Sequence, residues 1–204
     1  MEKNVSFESE DLKINGIIYF PSEKGKKPGV IVLHPHPAFG GSMENNVVNA
    51  ICEALQKNGV IAFKFNIRNP NIKKAIKHTI AGLDFFTSID ELDESRIGVC
   101  GYSWGSRVIL EALYDEPRVK ILIGVSPPIS MFKFGFLLDS ERPIKPILLT
   151  VGTHDQIIPV SLIEDFFKKL KDPKEFETFN TDHIYIGVER KLSERVIQFV
   201  QKYL

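Results

Sequence analysis

"IGVCGYSWGSRVILEAL" occupies Ile97–Leu113 and changes character at Ser103. Ahead of the serine runs a short apolar stretch, Ile97–Cys100. Behind it Val108, Ile109, Ala112 and Leu113 keep roughly helical spacing. A strand therefore gives way to a helix within a few residues, with Gly101 and Gly105 flanking the serine symmetrically. A serine on so sharp a turn stands in a strained backbone conformation, tolerated where its neighbours are small enough for strand and helix to approach closely. The same turn aims the first N–H groups of the helix at the serine oxygen, where they favour negative charge. This is the G-x-S-x-G pattern of a nucleophile elbow. At average glycine and serine usage it arises by chance about once in 3,000 positions, so its place between strand and helix is what gives it weight.

Outward from this junction the elements alternate. "NVSFES" (4–9) and "LKINGIIYFP" (12–21) read as an antiparallel pair at one edge of a sheet. "GVIVLHP" (29–35) is an apolar run stopped by prolines, as expected of a strand buried on both faces. In 42–59, Val47, Val48, Ile51, Ala54 and Leu55 keep helical spacing and Gly59 suits the stop. Strands at 60–66, 119–128, 145–152 and 174–180 alternate with helices at 73–89, 160–171 and 188–204. Such alternation predicts parallel βαβ units. The fold class is therefore α/β, with three layers and a mostly parallel sheet carrying helices on both faces, as one domain over 1–204. The segment 127–145 fits neither period and is expected to form a short cap. In such sheets the site lies beyond the carboxyl ends of the strands.

A serine is a weak nucleophile without a base, and the base needs an orienting acid. The order expected on this scaffold is Ser, then Asp or Glu, then His, each just past a strand. "PILLTVGTHDQIIP" places Asp155 after one apolar strand and "KEFETFNTDHIYIG" places His183 after the last, so the expected catalytic set is Ser103, Asp155 and His183. His154 and Asp182 are each adjacent in sequence to their potential partner, and neighbouring loop side chains rarely face each other. Asp139 lies in the irregular segment. Acyl transfer also needs two N–H groups aimed at the developing oxyanion. Trp104 supplies one. The other is expected from "HPHPAFGG" (34–41), where Pro35 and Pro37 have no N–H and His36 is the first donor past His34. His34 and His36 could also chelate a metal, but no carboxylate or cysteine cluster of suitable spacing accompanies them.

The 204 residues include 26 basic and 26 acidic side chains, and this zero net charge gives no pointer to nucleic acid or anionic lipid. Cys52 and Cys100 sit in apolar contexts and read as buried thiols. No signal-peptide core or membrane-length apolar run is evident, and the expected location is cytoplasmic. No spare apolar stripe marks a subunit interface, and the oligomeric state stays open.

On "GYSWG", "GTHDQIIP" and "TDHIYIG" the chain resembles the α/β-hydrolase superfamily over essentially its whole length. "LHPHPAFGGSMENNVV" is similar to a small bacterial and archaeal group of hydrolases with a His-Pro-His-Pro loop before a helix. The resemblance implies an eight-stranded sheet with its second strand antiparallel, no cofactor, and hydrolysis of an ester, thioester or related acyl bond. That group carries an Arg-Gly-x-Gly-x-Ser-like stretch after the fourth strand. "FNIRNPNIKKAIKH" keeps Arg68 without those glycines, so one wall of the site departs from the pattern. Phe39, Met131, Phe132 and Phe134 are expected to line an apolar acyl site, joined by Trp104. The function expected is that of a carboxylesterase-like serine hydrolase acting on a small acyl substrate. An acyl-thioesterase, a peptidase and a non-enzymatic ligand-binding protein of the same fold are the alternatives.

Overall fold

The computed structural model describes residues 1–10, 12–139 and 141–204. Eight strands form one sheet: β1 (Glu2–Ser9), β2 (Leu12–Tyr19), β3 (Lys27–Leu33), β4 (Ile61–Phe65), β5 (Leu92–Tyr102), β6 (Val119–Val125), β7 (Ile147–Gly152) and β8 (Lys174–Phe179). Their order is β1-β2-β4-β3-β5-β6-β7-β8. β1 pairs antiparallel with β2, β2 antiparallel with β4, and every later pairing is parallel. The expected edge hairpin and mostly parallel sheet are therefore both present.

Among the described residues five α-helices cover the sheet: α1 (Asn46–Lys57), α2 (Ile72–Thr87), α3 (Trp104–Leu113), α4 (Val160–Lys169) and α5 (Glu189–Tyr203). Because β3 to β7 are buried on both faces, two apolar layers form. α2, α3 and α4 pack on one face through residues such as Leu83, Val108 and Ile163. α1 and α5 pack on the other through Val48, Ile51, Leu192 and Val196. Asn45 and Asn71 start α1 and α2 by accepting the first N–H groups of each helix on their side-chain oxygens. Among the described residues no helix is long and apolar enough to cross a membrane. Cys52 and Cys100 are buried free thiols, and burial pushes both well above the ordinary thiol range.

The segment 127–145, one position of which, Ser140, lies outside the described residues, carries a short 3-10 turn at Gly135–Leu138. Phe134, expected in the substrate site, is instead 3% exposed. Its ring stacks on Phe136 at 6.0 Å and meets Phe166 of α4 edge-on at 6.4 Å. It anchors the segment to the α4 layer, because a large ring with apolar neighbours on two sides gains more from burial than from a wet rim.

Close backbone packing joins β5, α3 and the end of β3. A Cβ at Gly105 would stand 2.4 Å from the His34 carbonyl oxygen and 2.6 Å from that of Leu33. One at Gly101 would stand 2.4 Å from the Gly105 carbonyl oxygen. Backbone cannot yield as a flexible side chain does. Gly105→Ala is therefore expected to destabilise the protein by about 1–3 kcal/mol, read as a lower urea midpoint at unchanged slope.

Candidate active site

Ser103 lies between β5 and α3 with φ 52° and ψ −121°, the left-handed backbone expected of a serine on an elbow. Two bonds hold it there. The Ser103 N–H donates to the Val125 carbonyl at 2.8 Å, and the Ser106 hydroxyl donates to the Ser103 carbonyl at 2.6 Å. As a result the Ser103 side chain stands at the carboxyl end of the sheet.

Asp155 follows β7 and His183 follows β8. Their loops are laced by Thr153 N–H to the Phe179 carbonyl at 2.8 Å and His154 N–H to the Thr181 carbonyl at 3.0 Å. Tyr102, the residue before the serine, donates its phenol to the His183 carbonyl. These bonds bring the three expected side chains together: His183 Nε2 is 3.0 Å from Ser103 Oγ, and His183 Nδ1 is 2.7 Å from Asp155 Oδ2. With Oδ2 an acceptor, Nδ1 carries the proton and Nε2 is left to accept from the serine. Asp155 Oδ1 accepts the Ile157 and Ile158 N–H groups at 3.0 and 2.8 Å, while Ser126 Oγ donates to Oδ2 at 3.0 Å. Burial opposes the charge on Asp155, but the bonds from His183, Ile158 and Ser126 outweigh it and hold the carboxyl below its ordinary value.

The loop 34–45 forms the opposite wall. His34 is buried, and burial pushes its imidazole toward the neutral form. Its Nε2 accepts the Ile67 N–H at 2.9 Å, so Nδ1 carries the proton and donates to the Pro35 carbonyl at 2.6 Å. Both ring nitrogens are engaged within the chain. His36 Nδ1 accepts the Ala38 N–H at 3.2 Å, and its ring meets Trp104 edge-on at 5.1 Å. Among the described residues, neither the His36 nor the Trp104 backbone N–H has a hydrogen-bond partner, so both donors stay free beside the cleft. No cluster of three or more His, Cys, Asp or Glu is placed to hold a metal ion among the described residues.

Sequence reading missed how this loop is held. Three residues of β4 and its continuation pin it: Ile67 binds His34, the Asn66 side chain accepts the Met43 N–H at 2.9 Å, and Lys64 Nζ contacts Glu44 at 3.1 Å. Lys64 is buried to 1% exposure. Burial pulls it toward neutrality, but the neighbouring Tyr19 and the bond to Glu44 prevail and hold the ammonium above its ordinary value. A lysine in the apolar strand "VIAFKFN" was a visible signal.

A cleft of about 540 Å³ opens over Ser103. Phe39, Met131 and Phe132, all expected, line it, as do Trp104, Ile157 and Ile184, and among the described residues no Asp, Glu, Lys or Arg does. Phe132 is fixed by the Arg107 guanidinium stacked 3.7 Å from its ring centre, itself paired with Glu111 at 2.7 Å. Arg68 is outside this cleft, beside a separate depression with Asn66 and Asn69. Stability should register the Asp155 bonds. A carboxyl depressed in the folded state contributes stability that is present above its unfolded value and lost as pH falls through the folded one. Asp155→Asn is expected to cost about 1–3 kcal/mol near neutral pH. The gap from wild type should narrow below the ordinary aspartate value of 3.8, as followed by urea titrations across pH.

The model of the dienelactone hydrolase family matches residues 64–190, a span that holds Ser103, Asp155 and His183 and stops short of the 34–45 loop. An uncharacterised protein of Rickettsia prowazekii is 24% identical over 163 residues, covering 76% of this chain and 68% of its own length. An α/β serine hydrolase homologue from Coxiella burnetii superposes with a TM-score of 0.82 at 25% identity, over 98% of this chain and 96% of its own. An α/β serine hydrolase without a lid, from Xanthomonas campestris, gives 0.85 at 19% identity, over 98% and 94%. The last likeness is one of fold.

Proposed function

The chain belongs to the dienelactone hydrolase family, within the α/β-hydrolase superfamily, and from that premise we propose that it is a carboxylesterase-like serine hydrolase of neutral, apolar acyl substrates. The observation that carries this reading is the unbroken chain of bonds from Ser103 Oγ through His183 to Asp155. In the proposed cycle His183 Nε2 takes the hydroxyl proton as Ser103 Oγ attacks the acyl carbonyl carbon. The His36 and Trp104 N–H groups meet the oxyanion. The imidazolium, held by Asp155, then passes its proton to the leaving alcohol and the acyl-enzyme forms. Water attacks that ester with His183 again as base, and the acid departs as Ser103 regains its proton.

The substrate class rests on the lining. With no Asp, Glu, Lys or Arg lining the cleft among the described residues, a charged acyl group would lose hydration without gaining a partner. In this reading residues 1–204 form one α/β-hydrolase domain. The segment 127–145 is its short cap and the His-Pro-His-Pro loop carries the second oxyanion donor.

A fluorophosphonate probe tests the machinery without a known substrate. Wild type is expected to label at Ser103 alone, and labelling is expected to be lost in His183→Ala. Turnover of simple aryl esters should fall by about 10⁴-fold or more in Ser103→Ala; a folded Ser103→Ala that keeps most of its activity would refute the mechanism. Phe132→Ala should lower kcat/KM for a hexanoyl ester about 10-fold relative to an acetyl ester, since the longer chain loses a wall that the shorter one does not reach.

A further inference from the structure

Behind the acid lies a second line of buried hydroxyls. Ser126 follows β6 with φ 43° and is fully buried, as is Tyr185 in the loop before α5. Ser126 Oγ lies 3.0 Å from Asp155 Oδ2 and 3.0 Å from the Tyr185 phenol oxygen. An ionised carboxylate only accepts, so the Ser126 proton points at Asp155, and toward Tyr185 the Ser126 oxygen acts as acceptor. The phenol proton therefore points at Ser126. The Thr150 hydroxyl is buried near that phenol and, among the described residues, has no hydrogen-bond partner. The backbone supports the same arrangement, because the Ser126 N–H donates to the Thr150 carbonyl at 2.8 Å.

We infer that Ser126 and Tyr185 are positioning residues that set the basicity of His183 through Asp155. The inference rests on the reading of His183 as the base. Its ground is that one oxygen, Asp155 Oδ2, receives both His183 Nδ1 and Ser126 Oγ. Two donors on one oxygen divide its charge, and a hydroxyl polarised by a second hydroxyl behind it takes a larger share. Removing the Ser126 hydroxyl leaves more negative charge facing the imidazolium and strengthens its grip on the proton. The other titratable groups facing the pair are Tyr102 of β5, whose ring lies 5.6 Å from the imidazole, and Asp182 in the same loop. Neither contacts Oδ2.

The test uses Ser126→Ala and Tyr185→Phe in the full chain, each deleting one hydroxyl and keeping the rest of the side chain. The titration of His183 is followed by ¹⁵N NMR, assigned against His183→Asn, and needs no turnover. The midpoint is expected to move up by about half a pH unit in Ser126→Ala, and by less, in the same direction, in Tyr185→Phe. The pH dependence of fluorophosphonate labelling should follow it. A role confined to packing would slow labelling and lower stability without moving either midpoint. Superimposable titrations in the folded variants overturn the inference whatever the labelling does, and if Ser126→Ala does not fold, Tyr185→Phe decides alone. A wild type that never labels, yet shows the shifts, upholds the hydroxyl network and sinks the acyl-transfer reading instead.

Discussion

The seam where Gly105 meets the carbonyls of Leu33 and His34 governs the rest of the site. It brings α3 against the end of β3 so closely that the elbow and the His34 loop are set by one contact. Ser103 can then hold a left-handed backbone, which costs about 1–3 kcal/mol. The strain is offset by bonds of about 1 kcal/mol each, among them Ser103 N–H to Val125 and Ser106 Oγ to Ser103. A side chain at 105 would separate helix from loop. The free N–H groups of Trp104 and His36 would then no longer border the same space.

The two sides of the cleft are built differently. On the acid–base side nearly every polar atom is satisfied: Asp155 accepts four donors, and the Tyr102 phenol secures the His183 backbone. Opposite, the apolar rings of Phe132, Trp104 and Phe39 face open space. The buried Asp155 carboxylate is therefore met by fixed dipoles, each worth more there than in water. Binding of the substrate is left to contact area.

The order of strands and helices, and the placing of Ser103, Asp155 and His183 at three strand ends, were legible in the sequence because each depends on local period and chain order. The pins were not. Lys64, Asn66 and Ile67 act on a loop some 20 to 30 positions earlier, and they reach it only because β4 lies beside β3 in the sheet. Ser126 falls within the strand expected at 119–128, and nothing local marks it, because its partners Asp155 and Tyr185 come 29 and 59 residues later. Phe134 was misplaced for a related reason. Composition showed that 127–145 is rich in aromatic residues but not which rings face α4 and which face the serine.

That division within the segment decides how the site can work. Phe134 is driven into the core against Phe136 and Phe166, while Phe132, two positions earlier, is left in the cleft. Phe132 is not loose there, since Arg107 stacks on it and is itself tied to Glu111 one helical turn further along α3. The helix that starts at the nucleophile thus also fixes the ring that bounds the cleft, and the distance between Ser103 and that wall is set by rigid secondary structure. A cleft held in this way pays little ordering entropy when substrate enters. The separation of that wall from Ser103 is set by two points on one helix, whereas the opposite rim, at Met131 and Phe39, is exposed.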